Sequence, residues 1–272
     1  MSHTVFRFRV LLLVLVIVIT AGTFGFSLLE GLSLFDALYL TIVTIATVGY
    51  GDLHPTTTAA KILAMLLILA GVGTFVAAAA NAFEMILSRR EKQNRIDKMH
   101  MLIGVFFSEA GLVLLRTFSA ADPGAAELGE DLKVSDAWSN VEFSRVGSSL
   151  QGYSFTIDRD RMSIEAVRRI LSSRRDLLLQ LLQNPILLEH DAFTDLLHAV
   201  FHLTEELDYR SEYEQLPEPD LVHLAGDMQR VYRLLALQWL AYMQHLKKHY
   251  PYLFSLAMRT NPFDREASPV VH

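Results

Sequence analysis

Two apolar stretches long enough to cross a bilayer flank a third that is too short to do so, and few folds accept that order. Residues 10–29 are almost purely apolar and follow Arg7 and Arg9. A hydrocarbon core of about 30 Å needs about 20 helical residues, so this run predicts a spanning outer helix. A charged start before an apolar centre also describes a secretory signal, but the run continues past Ala21-Gly22, the nearest thing to a cleavage site. Glu30-Gly31 breaks the helix. Residues 34–46 are apolar but cannot span, so they are expected to dip into the membrane and return. Non-helical backbone at that depth is tolerated only when buried in protein or lining a cavity. Asp36 lies in the first turn of this short helix, where an acid suits the dipole. Residues 59–87 exceed the length a bilayer requires and are expected to tilt. The flank from Ser88 to Arg95 is basic, and together with Arg7 and Arg9 it places both termini in the cytoplasm.

Between the short helix and the third stretch lies Thr47-Val48-Gly49-Tyr50-Gly51-Asp52. Glycines at alternate positions permit left-handed backbone at little cost. Successive carbonyls can then turn toward one axis and replace the water around a dehydrated cation without supplying full charge. In such a passage Thr47 is expected to add a hydroxyl at one end, Val48 and Tyr50 to face away and pack behind, and Asp52 to place an acid at the other end.

This run resembles the TVGYG selectivity filter of potassium channels. Over residues 10–90 the chain is similar to prokaryotic two-transmembrane potassium channels, the calcium-gated type included. The resemblance implies an all-α fold: a two-transmembrane-helix tetrameric pore with a re-entrant pore helix (34–46) and filter (47–52), followed by a mainly α-helical cytoplasmic domain. It implies K+ as the transported ion, no organic cofactor and no enzymatic step. A filter of four loops, with one per chain, implies a homotetramer in the lipid bilayer. The expected location is the plasma membrane, as a multi-pass protein of the bacterial inner membrane. Within Gly71-Val72-Gly73-Thr74-Phe75, the resemblance makes Gly71 a gating hinge; close helix packing is the other use of Gly71 and Gly73. Phe75, with Ala79, Ala80 and Phe83 beyond it, is expected to line the cavity or inner gate. Glu84 is the one acid of this helix, expected either to concentrate cations or to pair with Arg89 or Lys92. The chain departs from some family members at Val43, where they carry a glutamate, and Tyr39 is expected to hydrogen-bond Asp52 instead. No arginine-rich segment suggests voltage sensing.

The remainder differs in character. Up to residue 95 there are seven Lys and Arg against five Asp and Glu, and beyond it seventeen against twenty-five. An acidic tail argues against nucleic acid as partner, and the absence of cysteine excludes disulfides and thiolate metal sites. The expected domains are 1–92 for the pore and 93–272 for an assembly or regulatory domain with an unidentified ligand or ion. Gly104 and Gly111 are too widely spaced for a dinucleotide fingerprint. Helices are expected over 93–118, 135–150, 164–182, from Pro185 to about 210 and from Pro219 to about 250, with 151–160 extended and 261–272 a loose tail. On the helix after Pro185, Asp191, Asp195, His198, His202, Glu205 and Glu206 share one face, and Phe193, Leu196, Leu197, Val200 and Leu207 the other. Asp195, His198, His202 and Glu206 are the candidate metal ligands, a solvated or intersubunit face being the plainer reading. Asp220-x-x-His223 repeats the Asp195-x-x-His198 spacing. Arg168, Arg169, Arg174 and Arg175 are expected to form salt bridges to acidic neighbours or to hold an anion.

Overall fold

The computed structural model describes residues 2–210, 213 and 216–270. They form two compact units, Met1–Asn94 and Arg95–His272. All regular structure among the described residues is helical.

In the first unit, α1 (Ser2–Glu30) and α2 (Leu34–Ile45) are joined by a turn in which Gly31 adopts φ +69. Ser33 caps α2: its hydroxyl accepts the Asp36 N–H at 3.1 Å and donates to the Asp36 carboxylate at 2.7 Å. Asp36 therefore serves the helix start, as its position in the first turn suggests. After a non-helical passage, α3 (Thr58–Leu67) begins at Thr57, whose hydroxyl accepts the Ala60 N–H at 3.2 Å. A wide turn, Ile68–Val72, then leads into α4 (Gly73–Phe106). Phe26, Ala37, Leu40, Ala60 and Leu67 form the core where α1, α2 and α3 meet. Glycine permits that approach: a Cβ on Gly22 would lie 2.7 Å from Thr41 Cγ2, and one on Gly25 2.4 Å from Leu63 Cδ2. Helical backbone is continuous from Thr58 to Ala121, and α1 and this long helix are both long and apolar enough to cross a membrane.

A second wide turn, Phe107–Gly111, separates α4 from α5 (Leu112–Ala121), after which come α6 (Ala125–Asp131), α7 (Asn140–Gly152), α8 (Ile164–Ser172), α9 (Arg175–Leu182), α10 (Asp191–Asp208), α11 (Glu218–His249) and α12 (Pro251–Arg259). The axis of the second unit's core is α11, whose Leu224, Met228, Val231, Tyr232, Leu235, Trp239 and Met243 are all buried. This spacing keeps one stripe inside along the length of the helix. From α10, Phe193, Leu196, Leu197, Val200, Leu203 and Leu207 join the same core, so the apolar face read from periodicity is the packed one.

Several expected boundaries move. The single helix over 164–182 is two, broken at Ser173-Arg174. The helix expected from Pro185 starts later: 187–189 form a 3-10 turn, and His190, not the Asn184-Pro185 pair, caps α10 by accepting the Phe193 N–H on Nδ1 at 3.1 Å. The helix expected from 135 starts at Asn140, where Ser139 and Glu142 form a reciprocal capping box. Helices α6 and α12 are additional. Residues 153–157 pair with no strand, yet their alternation is real: Phe155 and Ile157 are buried. They are held by Asp122, itself buried, which accepts from Tyr153 Oη at 2.9 Å, Thr156 Oγ1 at 3.1 Å and the Gly124 N–H at 3.0 Å.

The expected loose tail is also corrected, as far as residue 270. Asn261 and Phe263 are buried, the Asn261 amide donates to the Leu132 carbonyl at 2.8 Å, and the Phe263 ring meets Trp239 edge to face. A buried amide with both ends satisfied pins the chain end to the loop after α6. Asn261→Ala strips the Leu132 carbonyl of that donor and is expected to destabilise the second unit by about 1–3 kcal/mol, read as a lower midpoint in denaturant unfolding.

Candidate functional site

The passage between α2 and α3 is the site, and its backbone is its chemistry. The last turn of α2 hands over through Thr47 N–H to Thr44 O at 3.1 Å and Val48 N–H to Val43 O at 3.0 Å. Beyond it, φ is positive at Thr47 (58), Gly49 (61) and Gly51 (81). A β-branched residue in this region is costly, and such strain collects at functional sites. Residues of alternating hand turn successive peptide planes the same way, the property that builds rows of like dipoles from main chain. A Cβ on Gly49 or Gly51 would meet nothing within 4 Å, so the need for glycine there is conformational. Val48 and Tyr50 are 50% and 72% exposed on the single chain.

Side chains hold the passage at its C-terminal end. Tyr39 Oη donates to Asp52 Oδ2 at 2.8 Å, tying the middle of α2 to the end of the glycine run. The Glu30 carboxylate accepts four hydrogen bonds, from Thr56 N–H (2.8 Å), Thr56 Oγ1 (2.6 Å), Thr57 N–H (2.8 Å) and Thr57 Oγ1 (3.1 Å). It thereby locks the end of α1 to the start of α3 and places an acid at the positive end of a helix. Sequence reasoning treated Glu30 only as a helix breaker; the signal available was an acid 26 residues before a Thr-Thr-Thr run opening an apolar helix.

On the long helix, Gly71 lies in the wide turn Ile68–Val72, a geometry that loosens the helical ladder and is common at functional sites. It is also packed. A Cβ there would stand 2.7 Å from Ile45 Cγ1 and 3.5 Å from Val18 Cγ1, whereas one on Gly73 would meet nothing. Phe75 is 44% exposed, and Glu84 is exposed with no ion pair to Arg89 or Lys92 among the described residues.

The tail candidates separate. Asp195, His198 and His202 line a cavity of about 750 Å³ together with Arg230, Arg233 and Tyr153. Glu206 does not line it; its carboxylate lies 3.9 Å from His202 Nε2 and takes Arg210 Nη1 at 2.6 Å. That guanidinium, also bound to Asp220 at 2.6 Å, holds both carboxyls below their usual range. Among the described residues no three His, Asp or Glu form a metal site, so the set Asp195, His198, His202 and Glu206 is not assembled; Arg210 already occupies the Glu206 carboxylate that a metal would need. The arginine run is partly neutralised as expected, with Arg168 near Asp208 (3.7 Å) and Arg174 on Glu109 (3.5 Å), while Arg175 lies over the Phe201 ring. A separate histidine group stacks His100 on His245 with centroids 3.4 Å apart, and burial followed by the neighbouring His100 lowers the His245 pKa to about 4.

Gly71→Ala forces the Ile45 side chain to move and is expected to cost about 1–3 kcal/mol, against little for Gly73→Ala. Thermal melting of the detergent-solubilised protein checks this; equal melting of the two variants means that Gly71 is not a packing residue.

Residues 95–259 match the family described as Uncharacterized protein MJ1433, C-terminal helical domain, and residues 13–88 match the family described as Ion channel. Uncharacterized protein MJ1433 of Methanocaldococcus jannaschii is 41% identical over 202 residues, covering 74% of this chain and 81% of that protein. Two pore potassium channel b of Oryza sativa is 44% identical over 84 residues, and Calcium-gated potassium channel TvoK of Thermoplasma volcanium 36% identical over 73. These matches cover 27% and 25% of this chain and only 24% and 21% of those channels. The chain therefore belongs to the family of the M. jannaschii protein MJ1433, and it carries an ion-channel segment ahead of that family's C-terminal helical domain.

Proposed function

We propose that the protein is a homotetrameric potassium-selective channel whose helical C-terminal domain assembles the subunits or sets the state of the inner gate. The observation that carries the reading is the passage Thr47–Gly51, with left-handed backbone at every second residue. Four such passages about one axis would supply rings of carbonyl oxygens in place of a potassium ion's hydration shell. Val48 and Tyr50 would then be covered behind the filter, and the Tyr39–Asp52 hydrogen bond would brace its outer end. The ion-channel match and the potassium channels among the relatives support the same reading. The filter conducts without chemistry: no bond is made or broken. In this reading the continuous helix carries the inner gate, with the wide turn at Gly71 as the place where it bends and Phe75 facing the cavity.

Bi-ionic reversal potentials in planar bilayers test selectivity: K+ against Na+ is expected to shift the reversal strongly toward the K+ equilibrium value, and a reversal near zero rejects it. Flux into liposomes from the full chain and from a chain ending after Arg95, with tetramer formation checked in both, tests the tail. A truncated tetramer that conducts more assigns the tail to closing the gate, and one that conducts less assigns it to opening; failure to assemble makes it a tetramerisation device. Glu84→Gln is expected to lower the asymmetry between inward and outward conductance by removing an acid from the inner mouth, and unchanged current–voltage curves reject that role.

A further inference from the structure

Where α4 meets α11, three histidine rings come together. His100 of α4 stacks on His245 of α11, with ring centroids 3.4 Å apart and planes 16° from parallel. His249, one turn further along α11, stacks on His245 at 4.6 Å and 25°. Hydrogen bonding fixes the protonation of the first ring. His100 Nδ1 lies 2.8 Å from the Ile96 carbonyl, which can only accept, so Nδ1 carries the hydrogen and Nε2 is where a further proton would go. His245 Nε2 is buried and has no hydrogen-bond partner. A proton added there would be a buried donor without an acceptor, on a ring already pressed against another imidazole.

Neutral imidazoles stack favourably as aromatic rings, whereas two imidazolium ions at that separation repel. The surroundings oppose charge on balance. Asp97 of α4 favours charged rings; Lys248 and His249 of α11 and His190 ahead of α10 oppose them, and Tyr242, Tyr250 and Tyr252 add neutral walls. Burial and then His100 hold the His245 pKa down at about 4, and burial likewise lowers that of His100. A histidine kept neutral by the fold contributes stability that is complete above its ordinary pKa of 6.5 and is lost as the pH falls from there toward 4. Protons can reach the rings, because His100 and His245 line a cavity of about 360 Å³ with Gly104, Tyr242 and Tyr252. The core holds this part of α4 firmly only from Ile103 and Phe106 onward. Toward its start the tie is weaker: Arg95 and Glu189 pair at 2.7 Å with both side chains 57% exposed, and such pairs contribute little.

We propose that the stack of His100, His245 and His249 is an acid-released latch: neutral, it fastens the segment from Arg95 to Phe106 to the end of α11, and protonated, it lets that segment open. Proton uptake at His245 alone moves the balance toward the open form by up to about tenfold per pH unit between 6.5 and about 4. In the channel reading this segment continues the inner helix, so the latch is where cytoplasmic acid would act on the gate. The latch itself stands or falls without that reading, because its readout is local opening and not ion flux.

The test is hydrogen exchange of the full chain in detergent, read on peptides covering residues 95–106 and corrected for the pH dependence of free amides. Opening of this segment is expected to rise by at least about tenfold between about pH 7 and about pH 5, while peptides around Trp239 in the middle of α11 change little. His245→Phe keeps an aromatic ring in the stack but takes up no proton, and is expected to remove most of the acid response. His245→Gln is smaller and equally unable to titrate; it decides where the phenyl ring disturbs folding, which melting at neutral pH reports. Wild-type opening that stays flat over this range overturns the proposal. So does a rise of equal size around Trp239, which makes the response global unfolding. An undiminished response in the folded His245 variants also overturns it and assigns the acid sensitivity to other histidines, such as His202 and His223.

Discussion

Main-chain polar groups that enter an apolar surrounding must find partners, and the first unit is arranged around that requirement. The stretch from Ala46 to Thr57 leaves the helix where neighbouring sequence is apolar, and its N–H and C=O groups cannot all bond to each other. What surrounds it answers the need in parts. The end of α2 takes the first three N–H groups, Glu30 takes two more from Thr56 and Thr57, and Tyr39 fastens Asp52. The carbonyls of the glycine run are left for another use, and in the proposed channel that use is the ion. Thr47, at φ 58, carries backbone strain within this run.

Small residues perform the complementary task on the helices. Gly22, Gly25 and Gly71 each stand where a Cβ would strike a neighbouring side chain. In lipid, helices gain little from excluding water and depend on close van der Waals contact, which small residues allow. At Gly71 packing and helix geometry share one position: its lack of a side chain seats Ile45, and the helix widens around it.

The second unit follows the ordinary rules of a water-soluble helical core, with α11 as its axis and buried polar groups satisfied in small networks such as Asp122 with Tyr153 and Thr156. Against that background Asp227 stands out: it is buried, and its Oδ2 meets the imidazoles of His202 and His223 at 3.5 and 3.4 Å in place of a hydrogen bond.

By itself the sequence determined the two long apolar helices and the short one between them, the non-helical passage with its need for glycine, the Tyr39–Asp52 pairing and the helical character of the tail. These depend on composition and periodicity over neighbouring residues, or on a run whose backbone geometry is encoded by glycine spacing. It also identified the buried face of α10 correctly, because a helix carries its own period. Tertiary structure decided whatever needed residues far apart in the chain. Glu30 finds Thr56 and Thr57, Asn261 turns an expected loose end into core, and His190 rather than Pro185 starts α10. The acids beside His202 and His223 were visible in sequence, but spacing along one helix suggested Asp195 and His198 as their companions. Only the packing of α11 against α10 brings Asp227 to His202 and His223 to Glu206, since contacts between helices depend on which faces meet and not on the period within either one.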